Sequence, residues 1–537
     1  MGALPLLKSP LLTSSQSKAS DRQGEAVYEV ADVTTQDETL FENFQFEHYE
    51  ETSNIQLFFD LFFVANLTSF TNAHEINSLE KISSYIGFFC ILWFTWVQVT
   101  LYDVRFATDS IIERVAHACH FGVMVGLAII GPEFLTEDDG WGPLQQLSLI
   151  LVVSRVVLFC QYGSTLLFTW RYRATRVPLV AVMVSLFIAV IIYLGISFAF
   201  YRRSAYDAYI AWYVVAVMEV AVNLGLAAQW RAMSFEKTHL VERLSCLTLI
   251  ILGEGIIGLT KTIVKVETFD LKFTSADIGS IISAVLVIYL VYQLYFDNVR
   301  KEPFGSVRQQ LWSILHFPFH LALALMMEGT NQILLCAHVV QDLFNLFNVL
   351  APYQEGAPLE DMLTTLNETV YRIYERFPTT QVVIDEVEHA LDTALNPAPN
   401  ATEEQTLEEV QLLFREMAKT VIEGFGWEPP KEVEEGDYAG FGDSIVSIFN
   451  LTFAYFCICV GLVCMTIGVL TVLSHRPGYS RLRYISIGAN ILVGLGITLL
   501  STMVLTDAAG NLGTTPWTLP ALTLILLALL VLHHVSI

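Results

Sequence analysis

The chain has 537 residues, 54% of them hydrophobic and only 15% charged, with a mean hydropathy of +0.52, which excludes an ordinary soluble protein of this length. Its formal net charge of −25 is a local property, because 32 of the 54 acidic residues lie in two polar segments, 1–54 and 341–443. All eight cysteines, from Cys90 to Cys464, fall inside apolar blocks, so neither a disulfide framework nor a zinc ribbon is expected.

The N-terminus, MGALPLLKSPLLTSSQS, has no continuous apolar run and no small-residue cleavage site, and it does not read as a signal peptide. Leu6 stands where a myristoylation signal wants Ser or Thr. Residues 1–54 read as a disordered acidic cytoplasmic tail. Apolar blocks of roughly 20 residues or more, long enough to cross about 30 Å of hydrocarbon as helices, then follow near 55–73, 82–102, 112–131, 144–170, 178–200, 207–230, 242–263, 278–297, 311–340, 444–474, 484–505 and 516–535. They predict an all-α polytopic membrane protein of 12 spans. A first six-helix unit covers 55–230, and a second covers 241–340 and 444–537 around the insertion 341–443.

With the N-terminus in the cytoplasm, the inside segments hold 17 basic residues, whereas the short outside loops hold only Lys81, Arg202, Arg203, Lys261, Lys265 and Lys272. The positive-inside rule therefore predicts that both termini are cytoplasmic, in a plasma membrane or an endomembrane. The same assignment places 341–443 outside, where Asn367-Glu368-Thr369 and Asn400-Ala401-Thr402 are usable glycosylation sequons. Within that segment Val383, Val387, Leu391 and Leu395 recur at i,i+4 between prolines, which predicts a small acidic helical cap. Such a cap either gathers ligands or partners, or is a solvated insertion with no part in transport.

An offset of 194 residues relates Asp60 in Leu57-Phe58-Phe59-Asp60 to Glu254 in Ile251-Leu252-Gly253-Glu254, and Asp103 to Asp297. His-containing segments follow both, HACHF at 117–121 and HFPFH at 316–320. Two six-span units would share one orientation, a parallel repeat; chance alignment of apolar sequence is the alternative.

An ionisable group at the centre of a span costs roughly 2.5–3.5 kcal/mol on insertion scales, so it needs a partner or a function. Arg155, Glu219 and Glu254 lie roughly 16 Å deep by helical rise. Two acids facing one arginine would leave a surplus carboxylate for a proton or cation, and the alternative is a static Arg–Glu pair joining helices. Asp60, with these three, completes the expected ion or proton pathway. Asp103, Arg105, His117 and His120 would form a cytoplasmic vestibule with it, and Asp297, His316 and His320 its counterpart in the second unit. The alternative pairs Asp60 with Arg105 and lets the histidines satisfy backbone carbonyls. His316 and His320 share a helix face, but no HExxH pattern or nearby cysteine completes a metal set, so neither metal nor other cofactor is expected. Glu328 would line a cavity if the ninth span bends.

Four blocks resemble the low temperature requirement A family, known from bacteria with relatives in fungi: QLFFDLFFVANLT at 56–68, WFTWVQVTLYDVRFATD at 93–109, HLVERLSCLTLIILGEGIIGL at 239–259, and VYQLYFDNV with LHFPFHLALALMMEG at 291–329. The chain looks like a fungal-type member. It departs from the family pattern at Gln56, where Glu is usual, and at Gly255, where Ser often follows Gly-Glu.

The leading expectation is a proton- or cation-linked transporter or channel that uses intramembrane carboxylates. A non-transporting membrane scaffold or stress-response protein acting through the outer module is the other. No nucleophile, metal or phosphate-loop motif suggests an enzyme. The partners expected are the lipid bilayer and a small ion or solute, without nucleic acid; homo-oligomer formation stays open.

Overall fold

In hydrocarbon a segment must satisfy its own backbone polar groups, and a helix does this within one segment. The computed structural model accordingly folds the apolar blocks into helices, and no β-strand occurs among the described residues. These residues are 5–11, 52–73, 76–134, 141–203, 206–230, 233–235, 238–269, 275–299, 306–348, scattered positions between 368 and 393, 403–425, 438–474, 480–505 and 517–536.

The first half contains α1 (Asn54–Ala73), α2 (Leu79–Phe106), α3 (Ile111–Ile130), α4 (Trp141–Thr169), α5 (Arg173–Tyr201) and α6 (Ile210–Gln229). The second contains α7 (Leu240–Phe269), α8 (Ser275–Phe296), α9 (Ser306–Phe347), α11 (Tyr438–Ser474), α12 (Arg481–Leu500) and α13 (Thr518–Ser536), with α10 (Glu403–Gly424) in the insertion. Ser78, Ser110 and Ser480 start α2, α3 and α12 by accepting a backbone N–H three residues on, as N-cap serines do.

Among the described residues eleven helices are long and apolar enough to cross a membrane, where twelve spans were expected; α1 is not among them. Its 20 residues include Gln56, Asp60, Asn66 and Thr68, and Gln56, Asp60 and Asn66 are buried among other helices. Asn66, which begins a sequon, donates to the carbonyls of Phe62 and Met124. Outward apolar surface marks the other faces: Val177, Val180, Val184, Phe187, Ile188 and Ile191 of α5 are all exposed, an arrangement that suits lipid and not water.

The two halves share a pattern of neighbours. In the first, α1 packs on α2 and α3, α3 on α4, α4 on α5, α5 on α6 and α6 on α2. In the second, α7 packs on α8 and α9, α9 on α11, α11 on α12, α12 on α13 and α13 on α8. The halves meet where α1 and α2 lie against α7, and where α9 lies against α2 and α6. Close approach of α11 and α12 depends on Gly461 and Gly494, since a Cβ on Gly494 would sit 2.6 Å from the Gly461 carbonyl oxygen, the kind of small-residue contact that joins helices in membranes.

Two ends of the bundle are distinguishable. At one, residues 5–11 dock on the start of α3, where Ile111 and Ile112 donate their N–H groups to the carbonyls of Pro5 and Leu6. This part of the tail is held by the bundle, contrary to the expectation of disorder; residues 12–51 lie outside the described residues. At the other end α10 packs across α9 and α11 through Leu413, Met417, Val421 and Phe425, against Val266, Leu335, Val339 and Phe449. The expected amphipathic stretch contributes Val387 and Leu391 to that cluster. Asn367 and Asn400 lie outside the described residues.

Gly461→Ala should lower the thermal unfolding midpoint in detergent by the equivalent of about 1–3 kcal/mol, the usual cost of overpacking. Gly488→Ala, whose added methyl meets nothing within 4 Å, should leave the midpoint unchanged or raise it.

Candidate functional site

The charged residues inside the helices resolve into separate clusters. Arg155 of α4 and Glu219 of α6 form one of them. Arg155 Nε donates to both carboxylate oxygens of Glu219 at 3.2 and 3.1 Å and Nη2 to Oε2 at 2.9 Å, while Nη1 reaches Thr95 and Ser154. The guanidinium also lies 5.6 Å from the Tyr193 ring centroid. Both side chains are buried, and each takes up the other's charge. Glu254 is no part of this pair, because its contacts are with α1 and the far stretch of α7. The expected pocket with two acids around one arginine is therefore not formed, and Arg155 and Glu219 pair with each other.

A second cluster lies toward the end where residues 5–11 dock. Arg243 of α7 pairs with Asp60 at 2.8 Å, and Trp96 donates to the same carboxylate at 2.7 Å. Arg105, the partner of Asp60 in the alternative reading, instead donates to the Leu101 carbonyl, Tyr162 and Asn223. Asp103 faces His117 at 3.4 Å, and the other His117 nitrogen donates to the carbonyl of Glu113. Glu113 accepts from Tyr102 and Gln161, and His120 donates to Gln161. Asp60, Asp103, Arg105, His117 and His120 are all at most 3% exposed, so these groups are enclosed by the helices where a vestibule was expected. Gln56, which replaces the usual Glu, bonds His239 at 3.1 Å.

In the second half His316 donates to the Trp312 carbonyl and accepts from Tyr295, while His320 accepts from Trp93 and donates to Thr248. All four ring nitrogens are held by protein groups. Asp297 is not with them; it lies 3.8 Å from His534 and close to His533. Arg483 occupies the His533 nitrogens, so a fixed cation borders that group and opposes binding of a metal ion.

The fourth cluster lines a half-open cavity of ≈160 Å³ between α1, α2, α7 and α9. On α7, Glu254, Gly258, Lys261 and Lys265 follow one another at helical spacing along its wall. On α9, Glu328, Asn331 and Gln332 face them. Thr68 of α1 donates to Glu254 at 2.6 Å, and Gln332 to Glu328 at 3.0 Å. Lys261 donates to Asn72, and Lys265 to the carbonyl of Phe425 beside the cap helix. The approach of α7 to α9 rests on small residues, since a Cβ on Gly255 would meet Met327 at 2.6 Å and one on Gly258 would meet Asn331. The Ser that the family pattern often carries at 255 would press on Met327 here.

Residues 51–353 match the family of bacterial low temperature requirement A proteins (LtrA). The chain belongs to the LtrA family. No curated protein and no solved structure matches it significantly. Family membership and the long apolar helices together make this LtrA protein a multi-pass membrane protein. The matched segment contains every residue that lines the cavity, whereas Arg483, His533 and His534 fall outside it.

Sequence reasoning missed Arg243 as the partner of Asp60, and it missed Lys261, Lys265 and Asn331 as wall residues. The i,i+4,i+7,i+11 stripe from Glu254 to Lys265 was the available signal.

Arg155→Met and Glu219→Leu should each destabilise the protein by about 3–5 kcal/mol in detergent unfolding, because each leaves an uncompensated buried charge, and the double variant should recover most of that loss. A double variant as unstable as either single one would give the pair a role beyond mutual neutralisation.

Proposed function

We propose that this LtrA protein is a carrier or channel for a small ion or solute, proton- or cation-linked, and that the cavity at Glu254 and Glu328 is its outward-facing entrance. The observation that carries this reading is two carboxylates, about halfway along α7 and α9, in a half-open cavity lined by both polar and apolar side chains. Intramembrane carboxylates are costly and commonly mark ion or substrate paths. The Arg155–Glu219 and Asp60–Arg243 pairs then act as fixed joints between helices, and the exchangeable group is Glu254 with Glu328. No enzymatic step is part of this reading.

Orientation follows from the bias of basic residues, with both termini cytoplasmic and α10 outside. Glycans on Asn367 and Asn400 are part of the same proposal. Asn367→Gln with Asn400→Gln should abolish a glycosidase-sensitive mobility shift of protein made in a eukaryotic host. A wild-type protein without any shift would remove this support for the orientation.

Transport is tested in proteoliposomes under an imposed proton or cation gradient. Wild type should carry flux, and Glu254→Gln should lower it at least tenfold while the protein stays folded. Equal flux in the variant would exclude the cavity as the path. The docking of α10 across α9 and α11 favours a second reading, a scaffold acting through its outer module. Deleting residues 345–440 abolishes cellular function under that reading, and survival of function would end it.

A further inference from the structure

We propose that the cavity binds a small zwitterion, with its ammonium group toward Glu254 and Glu328 and its anionic end toward Lys261 and Lys265. This deepens the transport reading by naming a substrate class, and it depends on the cavity being the ligand site.

The argument starts from the order of charges along α7. Lys261 and Lys265 follow Glu254 by 7 and 11 residues, or about 10 and 16 Å of helical rise, in the direction of the cap. Lys265 reaches the cap at Phe425, so the lysines lie at the end of the cavity nearest the cap and the carboxylates at the other. Glu328 stands opposite on α9, in the wall of the same cavity. One cavity thus has carboxylates toward one end and lysines toward the other.

Three of these four charges have neutral hydrogen-bond partners. Among the described residues the partners of Glu254 and Glu328 are the neutral Thr68 and Gln332, and that of Lys261 is the neutral Asn72. Each keeps acceptor or donor capacity for a further partner. Asn331, only 7% exposed, lines the same cavity, and its Oδ1 has no hydrogen-bond partner. Two carboxylates and this amide oxygen provide three acceptors, the number of donors on an ammonium group. A bare cation would leave Lys261 with only the neutral Asn72, and a simple anion would face the two glutamates; a zwitterion answers both ends.

Size narrows the class. A cavity of ≈160 Å³ is close to the 150 Å³ that takes up benzene, a molecule of about six heavy atoms. Alanine, β-alanine and γ-aminobutyrate are of this size and differ in charge separation.

The test is binding to the purified full-length protein in detergent, read by thermal shift and calorimetry, with those three zwitterions, propylamine and butyrate as probes. At least one zwitterion should bind saturably and at least tenfold more tightly than propylamine and butyrate. Glu328→Gln and Lys261→Gln should each weaken it at least tenfold. Lys261 is exposed, so its substitution spares the packing and keeps the test decisive if Glu328→Gln fails to fold. Absence of binding by all three zwitterions, equal binding of propylamine, or unchanged affinity in Lys261→Gln would overturn the proposal. Binding without flux in proteoliposomes would overturn the transport reading alone, and flux without zwitterion binding would overturn this inference alone.

Discussion

A charged side chain inside a bundle of apolar helices has no bulk water to solvate it, so another polar group must answer it. This constraint organises the LtrA protein. Asp60 and Arg243 join α1 to α7, and Thr68 joins the same two helices again through Glu254. Trp93, His320 and Thr248 link α2, α9 and α7. Polar contacts therefore help to join the two halves, and α1 can be less apolar than the other spans because its polar side chains face protein.

Pairing also separates structural charges from available ones. Glu219 is held by three hydrogen bonds from one buried guanidinium, so binding a proton there would release an uncompensated arginine. The carboxylates of the cavity are held by neutral neighbours, and the same event releases no buried cation. The difference lies in what stands opposite each acid, since all three lie well inside their helices. The cap adds a further constraint, because Lys265 of the cavity wall is bonded to Phe425 beside the cap helix.

Local pattern explains which features were legible from residues alone. Apolar length marked the helices, and the unusual cost of an acid in such a helix marked Glu219, Glu254 and Arg155. Family blocks marked the segment that carries the cavity. Partner assignments fared differently: Asp60 was matched with Arg105, which is near in sequence depth, while its partner Arg243 lies 183 residues away. The histidines of α9 read as one half of a vestibule, yet Trp93 and Thr248 on two other helices enclose His320.

Residues read in order establish an all-helical membrane protein of the LtrA family, because hydrophobic length and local motifs are properties of single segments. They also establish that buried charges had to be answered. Only the tertiary structure decided which group answers which, because pairing depends on how helices distant in sequence pack and on where glycines such as Gly255 and Gly258 let them approach. For that reason the residues of one α7 stripe, Glu254 and Lys261, became a site when α9 brought Glu328 and Asn331 to the opposite wall.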